Sequence, residues 1–170
     1  IKINNLKNGN LDRVEFRVYK ANLYAGLALT NTYTFDLGNL LEWYETRSVH
    51  PKYFYSGDFN GDGKMEILAV ACHNPLGKTE YVSKTYIFDI EAGVKRYEST
   101  GLNFKIDYAV LSGVNDDILF PVDVDGDGKT DIMHIHDNGT DVYTFDISGT
   151  TYTRRLITSN NNLKKADVKY

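Results

Sequence analysis

Val122-Asp123-Val124-Asp125-Gly126-Asp127-Gly128-Lys129-Thr130-Asp131-Ile132 decides how this chain folds, and Gly57-Asp58-Phe59-Asn60-Gly61-Asp62-Gly63-Lys64-Met65-Glu66-Ile67 repeats its pattern 65 positions earlier. Both stretches place oxygen-bearing side chains at the first, third, fifth and ninth positions of a loop, with glycine at the fourth and sixth. A chain that coils this tightly turns sharply at the glycines, where positive φ costs no Cβ clash. What leaves each loop, Glu66 to Cys72 and Asp131 to His136, is apolar and reads as a strand. A loop that opens onto a strand, twice, points to a β-repeat.

Working outward, Tyr33-Thr34-Phe35-Asp36-Leu37, Tyr86-Ile87-Phe88-Asp89-Ile90 and Tyr143-Thr144-Phe145-Asp146-Ile147 are copies of one strand. Each is followed by a short turn and a second alternating run, from Leu40, Val94 and Thr151, so each unit contains a β-hairpin. Asp137-Asn138-Gly139 is a further tight-turn signal, which is also the better reading of the sequon Asn138-Gly139-Thr140. A 65-residue spacing accommodates the four antiparallel strands of a propeller blade. The expectation is an all-β fold, a partial β-propeller of about three four-stranded antiparallel blades in a single repeat domain over 1–170. Its units run over 1–57, 58–122 and 123–170, the last truncated. Asn8-Gly9-Asn10-Leu11-Asp12 reads as a degenerate loop, and a further loop is expected at Ala166–Tyr170. Three blades do not close a ring, so the chain reads as an excerpt of a longer propeller, its open edges covered by the remaining blades or by self-association.

Calcium prefers six to eight oxygens at roughly 2.3 to 2.6 Å, which such a loop can supply. In the first loop the ligands are Asp58, Asn60, Asp62, the carbonyl of Lys64 and the Glu66 carboxylate; in the second they are Asp123, Asp125, Asp127, the carbonyl of Lys129 and Asp131. Without a cation, the clustered carboxylates repel one another. EF-hand and dockerin loops begin alike but close with a carboxylate at position twelve on a helix. Here position twelve is Ala69 or His134, on strand-like segments, so position nine closes the site.

The two loops resemble FG-GAP/VCBS repeats, the calcium-loop blades of integrin α-type β-propellers, which also occur in secreted bacterial proteins such as Rhs-type and insecticidal-toxin-like shells. The resemblance implies a propeller fold and two Ca²⁺ ions. It does not imply an enzyme.

Composition agrees with a folded β protein: 42% of residues are apolar and 13% aromatic. The net charge of -4 and the absence of a basic stripe argue against nucleic acid as partner. No apolar run reaches the ~18 to 20 residues of a membrane span. No nucleophile elbow, phosphate loop or Cys/His frame marks an enzyme. Cys72, the lone cysteine, reads as a buried thiol. His134 and His136, two apart on a strand, could offer a pair of transition-metal ligands; with no third ligand nearby in sequence they read as a polar face. The thirteen tyrosines and Trp43 read as blade packing, with a glycan-stacking surface as the alternative. The expected role is an extracellular or cell-surface scaffold that meets a protein or glycan ligand; the alternative is a non-catalytic propeller part of a secreted enzyme or toxin.

Overall fold

Residues 67 to 70, Ile-Leu-Ala-Val, are all buried, and they explain how the sheets stack. Side chains on a strand alternate between faces, so a strand buried at every position has something packed on both sides. Ile67 and Ala69 join Val14, Phe16, Phe35, Tyr86, Phe88 and Ile90 in one cluster. Leu68 and Val70 point the other way and join Phe59, Ile87, Tyr97, Leu119, Ile132, Phe145 and Tyr152 in a second.

The computed structural model describes residues 2–8, 11–24, 26–36, 54–73, 82–102 and 117–168. Three antiparallel sheets result. The first is β1 (Lys2–Asn8), β2 (Leu11–Asn22) and β3 (Gly26–Asp36). The second is β4 (Phe54–Gly57), β5 (Glu66–His73), β6 (Val82–Asp89) and β7 (Val94–Leu102). The third is β8 (Ile118–Val122), β9 (Asp131–His136), β10 (Gly139–Ser148) and β11 (Thr151–Asn160). Within each sheet, strands consecutive in sequence are neighbours, so each sheet is a meander, and the middle sheet is packed between the other two through the two clusters. The chain is an all-β protein of successive antiparallel sheets, the architecture of a partial propeller.

The repeated pentapeptides fall on β3, β6 and β10, the third strand of each sheet. The turns that follow β6 and β10 return the chain at Val94 and Thr151, as the hairpin signals predict. The corresponding run from Leu40, and Trp43, lie outside the described residues. Counted by sheets, the units span 54–102 and 118–160, so each acidic loop sits inside its sheet, between first and second strands. In the first sheet the same place is taken by the hairpin at Asn8 and Leu11, whose pairing leaves only two residues between the strands.

Tyr86, Tyr97 and Tyr152 are buried, in line with a packing role for the strand tyrosines. The stretch expected to begin another loop instead forms a 3-10 turn at Lys165–Asp167. Lys165 Nζ lies 3.2 Å from Asp137, and the Thr140 hydroxyl donates to the Leu163 carbonyl. Residues 169–170 lie outside the described part. No helix among the described residues is long and apolar enough to cross a membrane.

Candidate metal centre

The two loops fold alike because the same side chains cap the same backbone amides. Asp58 accepts from the N–H groups of Gly61, Asp62 and Gly63 at 2.6, 3.1 and 2.8 Å. Asp123 accepts from Gly126 and Gly128 at 2.7 and 3.1 Å. The third position accepts from the fifth: Asp62 N–H to Asn60 Oδ1 at 2.7 Å, Asp127 N–H to Asp125 Oδ1 at 3.3 Å. The fifth accepts from the seventh, Lys64 N–H to Asp62 and Lys129 N–H to Asp127, at 2.9 and 2.8 Å. Such a coil requires left-handed backbone at the glycines, and Gly61, Gly63, Gly126 and Gly128 have φ of 79, 83, 78 and 87°.

The carboxylates at position nine are the buried members. Glu66 is 2% and Asp131 0% exposed, and each turns one oxygen back to the amide of the second position, Phe59 at 2.9 Å and Val124 at 3.0 Å. Burial pushes the Glu66 pKa from 4.5 up to about 7, against the Phe59 amide and helped by repulsion from Asp62 and Asp58. Burial likewise raises Asp131, with the Val124 amide and Thr144 hydroxyl opposing it and Asp125 and Asp127 adding to it. Both sites therefore hold a carboxylate whose charged form burial makes less favourable than in water.

At the other oxygen the two loops part. Asn60 donates from Nδ2 to Glu66 Oε1 at 3.1 Å and to the Tyr152 hydroxyl at 2.9 Å. Asp125 stands where Asn60 does and has no proton to give. Asp131 Oδ1 is buried and meets no donor in good hydrogen-bond geometry, the Thr144 hydroxyl being near enough only to favour the charged carboxylate; an unsatisfied buried polar group costs about 1 to 3 kcal/mol. In the same loop Asp123, Asp125 and Asp127 bring carboxylate oxygens within 4.8 Å of one another. Lys129 Nζ lies 3.3 Å from Asp127, and the Lys129 amide first, then its side chain, hold that carboxyl below its usual range. A hard divalent cation fits these donors: all are oxygens, the cluster is anionic, and one buried oxygen lacks a well-placed donor.

All ten expected ligand positions thus lie in two matching loops. Asp58, Asn60, Asp62, Lys64 and Glu66 form one, and Asp123, Asp125, Asp127, Lys129 and Asp131 the other. Sequence reasoning missed what holds the loops in place. Phe59 is buried against Phe145 with ring centroids 5.7 Å apart, whereas its counterpart Val124 is exposed. The Thr130 N–H donates to the Asp58 carbonyl at 2.6 Å, so the loops touch. The change from Phe59-Asn60 to Val124-Asp125 was the available signal for the first asymmetry; nothing local announces the Thr130 contact.

Comparison with protein-family models, with curated proteins and with solved structures finds no match to this chain. The geometry of the site itself therefore carries the functional reading.

Proposed function

We propose that this chain is a calcium-stabilised β-propeller repeat module of the FG-GAP/VCBS type, acting as an extracellular or cell-surface scaffold. Asp58, Asn60, Asp62, the Lys64 carbonyl and Glu66 would hold one Ca²⁺; Asp123, Asp125, Asp127, the Lys129 carbonyl and Asp131 would hold the other. The supporting observation is Asp131 Oδ1, a buried oxygen without a well-placed donor beside three converging carboxylates. Calcium supplies positive charge that offsets the repulsion among the carboxylates and the penalty of burying the position-nine acid.

The role is architectural. The loops join the first and second strands of their sheets and meet at Thr130 and Asp58, so ordering them fixes how neighbouring sheets sit. Phe120 and Val122 are exposed on the face of β8 opposite buried Leu119, a face suited to a further blade or another copy. The ligand of such a scaffold is a protein or a glycan. Calorimetric titration of metal-free protein with Ca²⁺ tests the reading: two sites are expected, the Asp123 loop the tighter, and no heat of binding to folded protein would refute it.

A further inference from the structure

The third sheet carries a second convergence of ligand side chains, at the end of β9 away from the acidic loop. His134 and His136 stand two apart on β9, with ring centroids 4.7 Å apart. The two-residue turn Asp137-Asn138 brings β10 back so that Asp141 lies directly opposite His134. Cross-strand partners project on the same face. A ring nitrogen of each histidine and a carboxylate oxygen of Asp141 accordingly lie within 4.8 Å of one another.

We propose that His134, His136 and Asp141 bind a divalent transition metal, with zinc the ion best matched, at a site separate from the calcium loops. Two imidazoles and one carboxylate suit zinc, whereas calcium prefers oxygen throughout. Around an ion with ligands at about 2 Å, donors sit roughly 3.3 Å apart, so the three side chains close inward when the metal enters. Three protein ligands leave a tetrahedral position for water or another donor.

The surroundings already orient these groups. Asp117 Oδ2 lies 2.7 Å from His134 Nε2, both side chains buried. A carboxylate holding one ring nitrogen while the other ligates is the usual support for a metal-binding histidine, and it assigns ligation to Nδ1. Asp141 accepts from Ser159 Oγ at 2.6 Å and from the Tyr143 hydroxyl at 3.0 Å, so its carboxylate is held on both sides. His136 Nε2 is buried, makes no hydrogen bond, and sits 3.4 Å from Asp141 Oδ2. Ligation through Nε2 moves the ring proton to Nδ1 and gives up the long 3.3 Å contact from the Asn138 N–H. The metal-free alternative is a pair of imidazole–carboxylate contacts, His134 with Asp117 and His136 with Asp141.

Calorimetric titration of the whole chain with ZnCl₂ in saturating Ca²⁺ separates the two, with Co²⁺ added in parallel so that visible absorption reports tetrahedral nitrogen and oxygen ligation. We expect about one equivalent of zinc, weakened at least ~10-fold in His136→Asn and Asp141→Asn and about 10- to 100-fold in Asp117→Asn. Asp125→Asn, in the acidic loop, should leave zinc binding unchanged. Circular dichroism of each variant confirms that the fold is kept. Absence of zinc binding to folded protein would overturn the proposal, and so would zinc affinity that survives in folded His136→Asn and Asp141→Asn. Because calcium is saturating throughout, neither result depends on the loops' own affinity.

Discussion

The Thr130 N–H donates a 2.6 Å hydrogen bond to the Asp58 carbonyl, joining the second acidic loop to the first residue of the other. The same threonine covers Gly57: a Cβ at that glycine would come within 2.5 to 2.8 Å of the Thr130 side chain. Gly57→Ala should therefore destabilise the protein by about 1 to 3 kcal/mol, the usual cost of overpacking. Denaturant unfolding measures it. Combining Gly57→Ala with Thr130→Gly should recover part of the loss; strict additivity would show that the two residues do not meet.

Asn60 and Asp125 occupy equivalent positions, yet only Asn60 can donate to its position-nine acid. Asp125→Asn supplies Asp131 Oδ1 with a donor and removes one charge from the cluster. The variant should be more stable than the parent without metal and should bind calcium at least ~10-fold more weakly, by analogy with tuning of calcium loops by ligand charge. Paired unfolding and calorimetry check both halves.

Much of this was legible from residue order alone. The strands after Glu66 and Asp131, the hairpins at Val94 and Thr151, and the loop glycines follow from local chemistry: alternation, turn residues and the need for positive φ. The placement of Asp141 follows once the two-residue turn at Asp137-Asn138 sets the register that puts it opposite His134; the spacing of the histidines along their own strand does not reveal it. Contacts between sheets were not legible. Thr130 on Gly57 and Tyr152 on Asn60 depend on how blades stack, which strand periodicity within one sheet does not encode.

Glu66 predicts a pH dependence whose sign is unusual for an acid in a folded protein. Its pKa rises from 4.5 to about 7 on folding, so the folded state holds the proton more tightly. Its favourable contribution is complete below about 4.5 and is lost as pH rises through about 7. Metal-free protein should lose stability over that window, and Glu66→Gln should flatten the loss. Calcium affinity at this loop should climb over the same range as the competing proton leaves. Chemical denaturation at a series of pH values, with and without Ca²⁺, measures the effect.

Tyr152 anchors the first loop from the neighbouring sheet through its hydroxyl on Asn60 Nδ2. Tyr152→Phe keeps the buried ring and removes one hydrogen bond, a loss of about 1 kcal/mol. Hydrogen exchange adds a sharper readout: amides at 60 to 64 should exchange faster in the variant, while those at 125 to 129 stay as they were.

The second loop lacks a buried anchor like Phe59 and a donor like Asn60, so it should depend more on metal for its order. In hydrogen exchange, removal of calcium should expose amides at 124 to 129 more than those at 59 to 64.

Thermal unfolding of metal-free protein, with and without excess Ca²⁺, tests the calcium reading most directly. A metal that binds only the folded state at 100 times its dissociation constant stabilises it by about 2.7 kcal/mol. The midpoint should rise with calcium concentration, and the rise should shrink in Asp123→Ala and Asp58→Ala, more in the former. Coincident unfolding curves in excess calcium and in chelator would contradict the account.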